Sequence, residues 1–278
     1  EVIVQVANGD DKVQNEQAEN LLTLGVDVLV VIPHNGQTTA AIVESAHRAG
    51  KKVIAYDRII RDCDVDLYVS FDNVRVGEVM ANYLVNLVPK GSYFVLNGPS
   101  TDYNAILIQK GFHNILDSFV KSGAISIALE QPCNDWQAIE ALKHTENGLT
   151  QTQNKVDAIL TAYDGLAGGA VQALTEQKLA GKVAVTGQDA EAAACKRFIE
   201  GTQSMTLYKP VKWLGAAAAE AAMSLAKGEK PQQATRTVHN GKIDVPSILL
   251  EPIAVDKSNM DEKVIADGFH SREEVYGK

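Results

Sequence analysis

The chain has 278 residues, 45% of them hydrophobic, which supplies a large buried core and, at this length, suggests two domains rather than one. Its formal net charge of −9 argues against a nucleic-acid surface, because phosphate contacts need clustered Lys and Arg and no basic stripe is present. The longest uninterrupted apolar run falls far short of the roughly 18 to 20 residues that cross a bilayer.

Residues 1–6 read as a strand and residues 11–24 as a helix with acidic residues toward its amino end. Residues 26–32 are a continuous apolar run of strand length, and the helix expected over 37–49 stops at Gly50. Further strands are expected over 52–56, 67–70 and 93–96, with a helix over 74–88. This first series predicts a buried parallel sheet covered by helices. A second series starts after Gly98-Pro99 with helix 105–120, strand 124–129, helix 136–150 and strand 158–162. It continues with helix 165–179, strand 183–186, helix 190–199 and strand 204–207. An Ala-rich helix over 212–226 ends at Gly228, and residues 248–253 form a late strand. No low-complexity linker separates the two series, which points to crossovers through a compact hinge.

Four short segments at the ends of apolar runs carry polar chemistry: Tyr56-Asp57-Arg58, Asp102-Tyr103-Asn104, Gly187-Gln188-Asp189 and Tyr208-Lys209-Pro210. In an open α/β sheet the carboxyl ends of parallel strands converge, so residues far apart in sequence can surround one small ligand. Asp and Asn exchange hydrogen bonds with hydroxyls, and Arg and Lys hold several oxygens at once, which fits a polyol. Trp136 offers a flat face for a sugar ring. Each residue also has a plain structural reading: Asp57 and Arg58 as an ion pair inside one domain, Lys209 as a solvated hinge charge, Trp136 as core.

Cys63, Cys133 and Cys195 have no CxxC spacing and read as small buried or loop thiols. The histidines are dispersed without HxxxH or HExxH spacing, so neither a metal site nor any other cofactor is implied.

The segments VDVLVVIPHNGQ, AYDR, SFDN, NGPSTDYNA, AGGAVQAL, GQDA, GTQSMTLYKP and VIADGFH, in this order along the whole chain, resemble the bacterial D-xylose-binding proteins of the periplasmic sugar-binding (ribose/xylose-type) family. The resemblance implies an α/β fold of two Rossmann-like domains with parallel sheets, a periplasmic binding protein of type I, closing on a pyranose through a three-crossover hinge. The crossovers would fall near Pro99, Lys209 and Leu249, giving lobes of 1–99 plus 210–248 and 100–209 plus 249–278. Sugar contacts carry over to Asp57 and Arg58 in the first lobe and to Asp102, Asn104, Trp136, Asp189 and Lys209 in the second lobe and hinge.

Two departures from the family pattern stand out. Before the AGG segment the family typically has Asn-Asp where this chain has Tyr163-Asp164, so Tyr163 enters the expected sugar site with a hydroxyl and an added ring that must either point differently or reshape the pocket. The family also begins with a strand and helix that this sequence does not contain. In the strand order 2-1-3 that strand lies between residues 1–6 and 26–32, so the first βα unit is expected to be missing, its place taken by another segment, another chain or copy, or a neighbouring strand that has re-paired.

The resemblance implies an extracytoplasmic location, in the periplasm or lipid-anchored at the cell surface. It also implies D-xylose or a related monosaccharide as ligand, and an ABC transporter permease as partner. The alternative output is a membrane sensor histidine kinase that recognises the same sugar-loaded form. A glycosidase using Asp57, Asp102 or Asp189 ranks lower, because no nucleophile elbow, phosphate loop or metal motif is present. A sugar-responsive repressor core ranks lower still, without a helix-turn-helix.

Overall fold

In the computed structural model, which describes residues 1–277, helices and strands alternate along the chain. The first elements are α1 (Asp11–Thr23), β1 (Val28–Val31), α2 (Ala40–Arg48), β2 (Lys52–Tyr56), β3 (Leu67–Phe71), α3 (Asn73–Leu87) and β4 (Gly91–Asn97). There follow α4 (Tyr103–Lys121), β5 (Ile125–Pro132), α5 (Ala138–Gln151), β6 (Ala158–Thr161), α6 (Asp164–Glu176), β7 (Ala184–Val185) and α7 (Ala192–Glu200). The last are β8 (Thr206–Tyr208), α8 (Val211–Ala226), β9 (Arg236–His239), β10 (Asp244–Leu250), β11 (Ile253–Val255) and α9 (Arg272–Tyr276). A 3-10 turn at Asn134–Trp136 precedes α5 and a π-helical turn at Asp261–Ile265 precedes α9. None of the helices among the described residues is long and apolar enough to cross a membrane.

The chain divides into two compact units. The first comprises Glu1–Phe71, Thr101–Asn104 and Val211–Leu250. Its sheet runs in the order β1-β2-β3-β10-β9, parallel except for the β10/β9 pair. Side chains alternate across the sheet with the two-residue period of a strand. Val53 and Ala55 of β2 and Tyr68 of β3 pack with Ile42, Val43 and Ala46 of α2. Ile54, Leu67, Val69 and Phe71 face the other way, against Leu214, Ala218 and Ala221 of α8. The i, i+4, i+7 spacing of these last three puts them on one stripe of the Ala-rich helix.

The second unit comprises Asp72–Ser100, Ala105–Pro210 and Glu251–Lys278. Its parallel sheet runs β5-β4-β6-β7, and β8 and β11 form a separate antiparallel pair. Asp72 caps α3 by accepting from the Arg75 amide at 3.1 Å. Helices α3 and α4 approach backbone to backbone: a Cβ on Gly77 would stand 2.1 Å from the Ile108 carbonyl oxygen, and one on Gly111 2.1 Å from that of Val74. Cys63, Cys133 and Cys195 are buried, and burial pushes their thiols up to about 11, 12 and 12 respectively.

Two expectations are corrected. The first lobe was expected to run to residue 99, but β4 hydrogen-bonds to β5 on one side and β6 on the other. It therefore stands inside the second sheet, and α3 goes with it, packing Val76, Met80 and Leu84 with Tyr93, Val95 and Phe112. The change of unit falls at Phe71 and Asp72, and Thr101–Asn104 returns to the first unit, taking Asp102 and Asn104 out of the second. The strand expected over residues 1–6 does not form: Val2 is 86% and Val4 75% exposed, and the segment has no ladder partner among the described residues. Apolar composition alone cannot satisfy an extended backbone.

Candidate functional site

In the first unit the site starts where β2 runs out. Asp57 takes φ +61°, the left-handed region that carries a steric cost for any residue with a Cβ. That turn is held by its neighbours. The Asp57 carbonyl accepts from Ser70 Oγ at 2.7 Å and Asn104 Nδ2 at 3.1 Å, and the Tyr68 hydroxyl lies 3.0 Å away. Arg58 follows, its Nε 3.1 Å from Asp102 Oδ2, with the Asp102 side chain only 6% exposed and that of Arg58 32%. The other Asp102 oxygen accepts from the Asn104 amide at 2.9 Å, closing a local turn that fixes the carboxylate. Between them Tyr103 packs under Arg61, whose guanidinium carbon lies 4.9 Å from the ring centroid.

In the second unit the stretch after β7 is also left-handed, with φ +90° at Asp189 and +51° at Ala190. Backbone strain of this kind persists only where surroundings over-determine it. Here the Asp189 amide bonds to Leu207 O at 2.7 Å, the Ala190 amide to Thr206 Oγ1 at 3.1 Å and the Glu191 amide to Asp164 Oδ2 at 2.9 Å. Lys209, directly after β8, places Nζ 2.9 Å from Asp189 Oδ1, and its side chain is only 14% exposed. It is no solvated hinge charge.

Trp136 lies in the 3-10 turn with φ +56°, half-buried, and its ring rests on Gly98, where a Cβ would come 2.1 Å from Trp136 Cη2. It packs against two core clusters of the second unit and meets Tyr163 edge to face, centroids 5.9 Å apart at 81°. The core and ligand readings of Trp136 are therefore compatible. Tyr163 flanks the start of α6 and donates its hydroxyl to Glu191 Oε1. Burial first, and then the Glu191 carboxylate, raise its pKa.

Beneath this stretch lies Asp164, fully buried at the first position of α6. Gln203 Nε2 donates to it at 2.7 Å and Thr206 Oγ1 at 2.8 Å, while Arg197 bonds to its main-chain oxygen at 2.7 Å and to Gln203 Oε1 at 2.8 Å. Burial outweighs the bonds that favour its charged form and pushes its pKa up to about 7.

The structure thus groups the expected residues into two sets. Asp57, Arg58, Asp102 and Asn104 share the first unit, and Trp136, Tyr163, Asp189 and Lys209 share the second. Sequence reasoning missed Asp164, Glu191 and Gly98. Asp164 directly follows Tyr163, but nothing in a lone Asp announces that it will be buried. Chemically, each set presents charged hydrogen-bonding groups at strand ends, and the second adds an aromatic face, an arrangement suited to hydroxyl-rich ligands.

A sequence model described as a periplasmic binding protein domain matches residues 1–230. The chain is 48% identical over 275 residues to the D-xylose-binding periplasmic protein of Haemophilus influenzae, covering 99% of this chain and 82% of the relative. It is 34% identical to the multiple sugar-binding periplasmic receptor ChvE of Rhizobium radiobacter, covering 96% of this chain and 82% of the relative. Among solved structures, a carbohydrate transporter solute-binding protein from Chloroflexus aurantiacus in complex with D-glucose matches with TM-score 0.89 and 32% identity, covering 96% of this chain and 86% of that one.

Proposed function

Because the chain belongs to the periplasmic binding protein family, we propose that it is an extracytoplasmic solute-binding protein that takes D-xylose and delivers it to an ABC transporter. The observation that carries the reading is the pair of strand-end sets, Arg58 with Asp102 and Lys209 with Asp189 beside Trp136, in a chain nearly half identical to a protein named for D-xylose. Binding, not bond cleavage, is the activity.

A sugar that bonds to both sets stabilises whichever arrangement of the chain lets both reach it, and it does so by differential contacts alone. Charge-assisted hydrogen bonds contribute on the order of 1.5 to 3 kcal/mol each, part of which desolvation offsets. The transporter then recognises the loaded form. A second output, relay to a membrane sensor kinase, draws its support from the relative called a receptor, and both partners would read the same loaded form.

The test is calorimetric titration with a panel of pentoses and hexoses, with small-angle scattering before and after sugar. D-Xylose is expected to bind tightest and to lower the radius of gyration. Absence of binding to any member of the panel by folded protein would remove the reading.

A further inference from the structure

The ring of Tyr163 is held on three sides. Below it is bare backbone: a Cβ on Gly165 would stand 2.5 Å from Tyr163 Cε1, so the ring occupies space that only glycine leaves open. At its tip the hydroxyl is bonded to Glu191 Oε1. At its side stands Trp136, in edge-to-face contact at 5.9 Å.

These restraints decide what Tyr163 offers a ligand. An asparagine here would carry two N–H donors and a carbonyl acceptor, whereas tyrosine carries one O–H that both donates and accepts, and here its proton is committed to Glu191. What meets Trp136 is the apolar ring, with the hydroxyl oxygen at the far, Glu191 end able only to accept. A sugar hydroxyl pressed against such a wall loses water and gains no hydrogen bond, while a C–H edge loses nothing. In a xylopyranose, C1 to C4 each bear a hydroxyl and C5 is a bare methylene. A hexopyranose such as glucose places a hydroxymethyl group there.

Resting on the sugar-binding reading above, we propose that Tyr163, held by Glu191 over Gly165, is a specificity-determining residue that walls the site against a C5 substituent and thereby selects pentopyranoses over hexopyranoses. Glu191 accepts the hydroxyl proton, so that the tyrosine turns its ring rather than a donor toward the ligand. Gly165 is its necessary complement.

The experiment measures D-xylose and D-glucose affinities by calorimetry for the wild type and for Y163N, Y163A, Y163F and E191Q, with thermal melts to show that each variant is folded. The wild type should prefer xylose by about tenfold or more, the scale that one added group produces in a close-fitting pocket. Y163N and Y163A should cut that ratio at least about fivefold, through better glucose binding, because the wall is gone. Y163F and E191Q should keep the ratio within about twofold, since a ring remains in one and a hydroxyl acceptor in the other. An unchanged ratio in Y163N and Y163A overturns the proposal, as does an equal fall in Y163F, which would place selectivity in the hydroxyl. Folded wild type that binds neither sugar would instead overturn the reading on which the proposal rests.

Discussion

Lys209 Nζ lies 2.9 Å from Asp189 Oδ1, joining the residue directly after β8 to the strained stretch that follows β7. The lysine is the more enclosed partner, at 14% exposure against 37% for the aspartate, so its ammonium depends on few neighbours for solvation. A ligand hydroxyl placed here receives a charged donor and a charged acceptor together.

Lys209→Met keeps most of the side-chain bulk and removes the charge. Xylose affinity should fall by about tenfold to a hundredfold, the worth of one charged hydrogen bond. Stability should move by less than about 1 kcal/mol, because Asp189 is exposed enough to be solvated alone. Calorimetry and urea unfolding separate the two effects, and an unaltered affinity would remove Lys209 from the site.

Asp102 does two jobs with two oxygens, one toward Arg58 and one toward the Asn104 amide. Asp102→Asn can keep the bond to the amide and lose the charge, whereas Asp102→Ala loses both. The alanine variant should be destabilised by roughly 1 to 3 kcal/mol, because it leaves a buried amide unpaired and Arg58 without its carboxylate. The asparagine variant should be the milder in urea, yet weakened by at least about tenfold in xylose binding, since Arg58 then loses its orienting charge. Equal urea midpoints for the two variants would show that the turn at Asn104 contributes nothing.

Trp136 and Gly98 form a steric pair. Gly98→Ala would put a methyl 2.1 Å from the ring and displace it, without removing any polar group. Both Gly98→Ala and Trp136→Ala should weaken xylose binding, and Trp136→Ala should also cost about 2 to 4 kcal/mol of stability, because the ring packs on two core clusters. The other tryptophan, Trp213, is 46% exposed on α8, so a Trp213→Phe background isolates the Trp136 fluorescence. Loss of the xylose-induced signal in Gly98→Ala is the expected result. A normal signal and affinity there would mean the ring does not touch sugar.

Much of the candidate site was legible because strand ends announce themselves: apolar runs stop, and Asp57, Arg58, Asp189 and Lys209 stand at or just beyond the stops. What the runs do not carry is which sheet a strand joins. Residues 93–96 read as a strand from composition, but only pairing with β5 and β6 reveals that β4 lies inside the second sheet. Strand β9 was missed for a different reason. Its residues Arg236–His239 are largely exposed and, Val238 apart, polar, so periodicity gives no sign of them, and the strand exists because β10 supplies an antiparallel partner. Trp136 was expected to open a helix, but positive φ at Asp135 and Trp136 holds it in a separate turn before α5. Such backbone states come from tertiary contacts rather than from the local residues. Glu191 and Asp164 were invisible for the same reason, as their roles depend on partners from elsewhere in the chain: Tyr163 for the one, Gln203 and Thr206 for the other.

Asp164 makes stability depend on pH in a direction opposite to most carboxylates. Burial lifts its pKa from 3.8 to about 7 against the pull of Gln203, Thr206 and the Glu191 amide. Between those two values the folded chain holds a proton that the unfolded chain has released, so raising the pH favours unfolding. The contribution is fully present below 3.8 and is lost as the pH rises through about 7. Asp66 runs the other way: burial raises its pKa, but hydrogen bonds from Lys52, His47 and the Val53 amide outweigh that and hold it low. Because opposing groups overlap, the wild-type curve alone is not diagnostic. The difference in unfolding free energy between wild type and Asp164→Asn, taken from urea titrations at about pH 4.5, 6 and 8, isolates the one group. That difference should favour the wild type most at the acidic end and shrink steadily toward pH 8. A difference that stays flat across the range would mean that Asp164 keeps an ordinary carboxylate pKa in the folded chain, and that its hydrogen bonds rather than its burial govern its charge.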